Sequence, residues 1–209
     1  MTVDHILVYL RGLKKEMVKV IDDFKLFPTL VRKVNNFLSV DECSTIQKEL
    51  LDRESLLKDH ELLTGKSKSS HLIDNILNII SINLNDRIKD ICWSYKKDVG
   101  FNMSNEISDS WFNIQKKGTA LQEHTHPNSI LSGALYINVD QDSNQLYFHN
   151  PNQFMSFCDI EEHKECSYNW FYFKPRLGSL IIFPSWLKHG SNETKNNTEN
   201  RTVISFNVK

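Results

Sequence analysis

The spacing of apolar residues changes period near residue 100, and that switch limits the folds open to the chain. Before it, apolar side chains recur three and four positions apart, which suits one face of a helix. After it they come as short aromatic and β-branched runs between turns, which suits strands. Helices followed by strands argue an α+β fold. Over residues 40–57, Cys43, Ile46, Leu50 and Leu57 fall on one stripe, with Ser39 or Asp41 placed to cap the first turn. A second helix is expected over 70–97, with Leu72, Ile76, Ile79, Ile80, Ile88, Ile91 and Trp93 on its buried side and a break near Asn83. Residues 4–22 read as a further amphipathic helix that either packs on the domain or mediates self-association as a homodimer. Strands are expected near 110–115, 120–126, 130–138, 145–148, 170–173, 179–183 and 201–208. Residues 64–70 and 192–200 read as polar loops, 151–169 as an irregular insertion, and Leu177-Gly178-Ser179 as a tight turn.

With 209 residues and no internal repeat, the chain suits one domain: a helical part, 1–100, packed on a β core, 101–209. Basic and acidic side chains nearly balance at 25 and 26, so no electrostatic case exists for a nucleic-acid partner. No apolar run is long enough for a membrane span or a secretion signal. The four cysteines, at 43, 92, 158 and 166, are scattered without a Cys-x-x-Cys pair. They read as reduced thiols in a cytoplasmic protein.

The chemistry concentrates in three histidines and an arginine. Gly118 is followed six residues later by His124-Thr125-His126-Pro127; His189 closes the run Ile181-Ile182-Phe183-Pro184-Ser185-Trp186-Leu187-Lys188; Arg201 opens Arg-Thr-Val-Ile-Ser-Phe-Asn. Two imidazoles two residues apart on extended chain point to one side. Any one of these histidines alone is more often a surface or satisfied core residue. Together, with His189 ending an apolar strand, they read as a metal set with open coordination positions. Arg201, Val203, Ser205 and Asn207 share a face of the last strand, so an inward guanidinium there can grip a carboxylate. Trp111, Asn113 and Gln115 form another such face. No nucleophile triad, P-loop or dinucleotide fingerprint competes.

These motifs resemble the iron(II)/2-oxoglutarate-dependent dioxygenases, and within them a branch found in bacteria and their phages. The likeness rests on Trp111 and Asn113, Gly118, His124 to Pro127, Ser132-Gly133 and Tyr136, Phe183 to Ser185, His189, and Arg201 to Asn207; it is dense from residue 111 onward. It implies a double-stranded β-helix (jelly-roll, cupin-like) core with N-terminal helices packed on it. It also implies Fe(II) held by His124, His126 and His189, and 2-oxoglutarate as cosubstrate. Arg201 would hold the cosubstrate's far carboxylate, with Asn113, Gln115, Tyr136 and Ser205 as further contacts. The reaction implied is decarboxylation of 2-oxoglutarate coupled to hydroxylation of a small molecule or a protein side chain. The sequence departs from most of the superfamily at His126, where Asp or Glu is usual. Either three neutral imidazoles bind the metal, or His126 stands off and water completes the shell. Glu123 alternates to the opposite face, and Asp140 or Asp142 would have to approach from a neighbouring loop. His5, His60 and His71, placed in the helical part, and His163 read as bland. His149 reads as structural, and Trp186 as packing or lining the substrate mouth. Two other functions stay open: a non-catalytic cupin-like metal- or ligand-binding module, and a virion- or partner-associated module that lost its chemistry. An inward Arg201 favours the enzyme, an outward one a binding module.

Overall fold

The computed structural model describes residues 6–7, 20–21, 27–73, 75–164 and 166–209. In chain order the elements are β1 (Ile6–Leu7), β2 (Val20–Ile21), β3 (Arg32–Val34), α1 (Val40–Leu51), β4 (Lys68–Ser69), α2 (Leu84–Val99), β5 (Ile107–Gln115), β6 (Leu131–Asn138), β7 (Leu146–His149), β8 (Trp170–Phe173), β9 (Leu180–Pro184), β10 (His189–Gly190) and β11 (Arg201–Val208).

Both helices start at side-chain caps. Ser39 Oγ accepts from the Glu42 amide at 3.1 Å while Glu42 Oε2 accepts from the Ser39 amide at 2.8 Å, closing a capping box that opens α1. The helix ends at Leu51, six residues earlier than expected; a 3₁₀ turn, Glu54–Leu56, takes over, and Leu57 is buried by that route. The helix expected over 70–97 is α2 alone, and Leu72, Ile79 and Trp93, expected on its buried side, are exposed: the first two precede the helix and Trp93 lies on its outer face. Asn83, where a break was expected, is its N-cap. Upstream, the backbone spends its hydrogen bonds on the sheet instead: the Ser70 amide donates to the Phe112 carbonyl, and the Leu77 amide to Ser110 Oγ. Of the helix expected over 4–22, Ile6–Leu7 and Val20–Ile21 are paired antiparallel as two-residue strands, and the remainder lies outside the described residues.

Two antiparallel sheets face each other as a jelly-roll, the double-stranded β-helix. The large one runs β3-β9-β6-β11-β5-β4 and the small one β10-β7-β8. Register sorts the side chains of the large sheet. Arg201, Val203 and Ser205 lie opposite Gln115, Asn113 and Trp111, and Val203 also lies opposite Tyr136. That set faces the small sheet. The alternate set, including Phe112, Leu135, Ile182, Ile204 and Phe206, packs with the buried faces of α1 and α2 in one apolar core. Gly133 belongs to this layer, and the Phe206 ring lies so close that an added Cβ would sit 2.1 Å from it. A smaller core of Tyr136, Leu146, Phe148, Ile181 and Phe183 lies between the sheets.

The expected strand over 120–126 is absent. Its residues make isolated bridges, Leu121 to Leu63 and His124 to His189, before the His126 amide donates to the Ser185 carbonyl at 2.9 Å. Successive partners belong to different elements, so no ladder forms. Among the described residues no helix is long and apolar enough to cross a membrane.

A candidate metal centre in the jelly-roll cavity

The backbone sets the three histidines together. His124 and His189 exchange both amide hydrogen bonds, at 2.9 and 3.0 Å, and His126 follows on the same segment. Ring centroids lie 4.4 Å apart for His124 and His189, 4.8 Å for His124 and His126, and 5.1 Å for His126 and His189. All three ligand atoms lie within 4.8 Å of one another. His124 Nδ1 is 2.8 Å from the Gln122 carbonyl oxygen, and His189 Nδ1 is 2.8 Å from that of Leu187. A carbonyl only accepts, so both Nδ1 atoms carry the proton and both Nε2 atoms keep a lone pair, that of His189 lying 3.3 Å from His126 Nε2. Burial, then the neighbouring imidazoles, hold His189 well below the ordinary range. Burial first, then His124, push His126 down to about 4, against the opposing pull of Asp109. Burial also lowers His124, its bond to the Gln122 carbonyl opposing. At neutral pH these are three uncharged donors, the form in which imidazole binds a metal.

The histidines line one end of a cavity of about 290 Å³ between the sheets. Every residue singled out for cosubstrate binding lines it too: Arg201, Gln115, Asn113, Tyr136 and Ser205. Arg201 is buried, and its Nη1 donates to Gln115 Oε1. Its Nε has no partner, and neither has the Tyr136 hydroxyl. The guanidinium carbon lies 5.6 Å from the centre of the Tyr136 ring. Burial raises Tyr136 to about 12, so its hydroxyl keeps the proton and can donate. Among the described residues no carboxylate forms an ion pair with Arg201. A buried cation beside two orphaned donors calls for an anion from outside the chain. Three converging neutral imidazoles call for a divalent metal, and the donors present suit both groups.

Trp111 packs against His126 at 5.8 Å between ring centroids. Asp109, His60 and His71 also line the cavity. His60 and His71 sit on loops, not in helices, edge to face at 4.3 Å. Nothing in the spacing of His60 and His71 marked them, because the 58–71 segment reaches the cavity through long-range pairing with β5, whereas Asp109 continues the alternation of Trp111, Asn113 and Gln115 and was missed although that signal was present. Glu123 pairs with Lys188, and Asp140 is held by Thr198 and the Asp142 amide, so none of the alternative carboxylates joins the histidines. His149 binds the Asn150 carbonyl and meets Trp170 edge on; His163 binds the Ser167 carbonyl at the surface. Trp186 is half exposed and lies outside the cavity lining. His5 lies outside the described residues.

Residues 109–207, the span holding all of these groups except His60 and His71, match the family model described as "Putative 2OG-Fe(II) oxygenase". Over that span, a little under half of its length, the chain resembles the 2OG-Fe(II) oxygenases. That description names Fe(II) and 2-oxoglutarate, the two groups that the three histidines and the Arg201 end of the cavity suit. No curated protein matches the sequence significantly. Among solved structures the chain is similar to a Pseudomonas putida prolyl-4-hydroxylase, at a TM-score of 0.63 and 14% identity over 87% of this chain and 93% of that one. It is similar to HygX from Streptomyces hygroscopicus with nickel and 2-oxoglutarate bound, at 0.57 and 10% over 85% and 82%. A third is a Trichoplax adhaerens prolyl hydroxylase in complex with a hypoxia inducible factor peptide fragment, at 0.56 and 14% over 85% and 83%. At such identities these likenesses speak for the fold.

Proposed function

We propose that the protein is a hydroxylase in which His124, His126 and His189 hold Fe(II) and Arg201 holds the far carboxylate of 2-oxoglutarate. The observation that carries this reading is the pair of orphaned donors, Arg201 Nε–H and the Tyr136 hydroxyl, buried in the cavity that the three histidines line. Bound together, metal and cosubstrate activate oxygen and oxidise a C–H bond while 2-oxoglutarate is decarboxylated to succinate.

The chain's own residues bind and orient. Arg201 supplies a planar fork that a lysine cannot reproduce. Gln115 already occupies one guanidinium nitrogen, which fixes the plane and leaves Nε directed to a ligand. Tyr136 offers its hydroxyl, while Asn113 and Ser205 present polar groups from diagonal positions of the paired strands β5 and β11. Val203 and Phe183 keep the wall dry, and this strengthens each charged contact. The substrate is a small metabolite or a side chain of another protein, entering past the loops that carry His60 and His71.

The test is anaerobic addition of Fe(II), then 2-oxoglutarate, to metal-free protein. A visible metal-to-ligand charge-transfer band is expected, absent in His189→Ala and weakened in Arg201→Ala. No band from correctly folded protein would overturn the assignment of these residues.

A further inference from the structure

Three motif residues, Ser132, Ser185 and Asn207, remain without a part in binding metal or cosubstrate. They are joined in a chain that ends at Asp109. Ser185 Oγ lies 2.8 Å from Ser132 Oγ, Ser132 Oγ donates to Asn207 Oδ1 at 2.7 Å, and Asn207 Nδ2 donates to Asp109 Oδ1 at 2.7 Å. Ser108 Oγ donates to the other carboxylate oxygen at 2.6 Å. The opposite end of the chain reaches His126, whose amide donates to the Ser185 carbonyl at 2.9 Å.

Asp109 lines the cavity and makes no ion pair with lysine or arginine among the described residues. It sits two positions before Trp111 on the inward face of β5, and Trp111 packs on the His126 ring. His126 is also the one histidine of the three whose second ring nitrogen is not tied to a backbone carbonyl.

Three neutral imidazoles leave a divalent ion with its full charge. With one carboxylate of 2-oxoglutarate on the metal and the other on Arg201, one positive charge stays at the metal end of the cavity. We propose that Asp109, held by the Ser185–Ser132–Asn207 chain, is a positioning residue that balances this charge from beyond His126, supplying through space the anion that the ligand set lacks. The proposal rests on the assignment of the three histidines to iron.

The test compares wild type with Asp109→Asn, which keeps the shape and removes the charge, and with Asp109→Glu, which keeps the charge. Fe(II) affinity is read by anaerobic competition with a chelator, and the Fe(III)/Fe(II) potential by voltammetry. Asp109→Asn should weaken Fe(II) about tenfold, as loss of an outer partner typically does. It should weaken Fe(III) further, raising the potential by about 59 mV for each additional tenfold. Asp109→Glu should recover most of both. Should Asp109→Asn fail to fold, Asp109→Ser removes the same charge and gives the same readouts. Unchanged affinity and potential in a folded charge-deleted variant would overturn the proposal, even if that variant alters the response to a substrate, and would leave the iron assignment standing. Absence of Fe(II) binding by wild type would instead sink the iron assignment itself.

Discussion

Tyr136 and Arg201 are poor choices for stability alone. Each buries a polar atom with no partner, and an unsatisfied buried group costs about 1–3 kcal/mol. On the proposed function the cost is recovered when the cosubstrate's carboxylate arrives, so stability and binding should move in opposite directions on mutation. Tyr136→Phe removes the orphaned hydroxyl and keeps the ring against the guanidinium. Without 2-oxoglutarate it should unfold at the same or higher urea concentration, by up to about 1 kcal/mol, while 2-oxoglutarate binds roughly tenfold more weakly. Urea titration with and without cosubstrate checks both; a variant that is less stable yet binds normally would show the hydroxyl to be merely structural. The residues of this site differ in how legible they are. The histidines and Arg201 stand at short, fixed spacings on or beside strands, so local pattern reveals them. His60 and His71 carry no such mark, since their place depends on which loop pairs with β5; Asp109 stands in the alternation of Trp111, Asn113 and Gln115 and was legible there.

At the scale of elements, the strands proved readable to within about three residues where each keeps the same neighbours on its two sides, as β6, β9 and β11 do. Pattern failed where the backbone changes partners. Residues 120–126 satisfy their amides on the 62–64 loop, β10 and the β9 end in turn, and in 70–83 Ser70 and Leu77 turn to β5 while Asn78 and Ile79 close a 3₁₀ turn and Ser81 donates to Glu49, so apolar spacing there reports burial without reporting a ladder or an α-helix. Gly178 shows the reverse case, a turn legible from one residue. Its φ is +68°, and an added Cβ would lie 2.3 Å from the Leu38 carbonyl oxygen, the junction of the α1 entry with the β9 start. Gly178→Ala should therefore lose about 1–3 kcal/mol or more, as strained backbone does. Ser39→Ala, deleting the capping box beside it, should lose about 1 kcal/mol. Both are checked by the urea midpoint; equal stability of Gly178→Ala and wild type would mean the turn can shift away from Leu38.

For the molecule as a whole, the histidine cluster links folding, pH and metal. An unfolded chain titrates its histidines near 6.5. In the folded protein His126 lies at about 4, His189 well below its ordinary value, and His124 lower than usual. As pH falls below 6.5 the unfolded state takes up protons first, so metal-free stability is full above 6.5 and declines towards pH 4. Metal binding follows a different course, because it competes only with protonation of the folded state. Three imidazoles of ordinary pKa would lose on the order of 50-fold in affinity between pH 7.5 and 6.0. The buried cluster should lose far less. At a metal concentration a hundredfold above Kd the stabilisation is about 2.7 kcal/mol, or roughly 5–10 °C in Tm for a chain of this size. Anaerobic melting with and without Fe(II) should therefore show a shift at pH 6.0 close to that at pH 7.5, fading only towards pH 4, while the metal-free Tm declines throughout. A shift already halved at pH 6.0 would mean that the cavity opens to water before metal binds, and that the packing of Trp111 and Phe183 around the histidines does not hold them neutral.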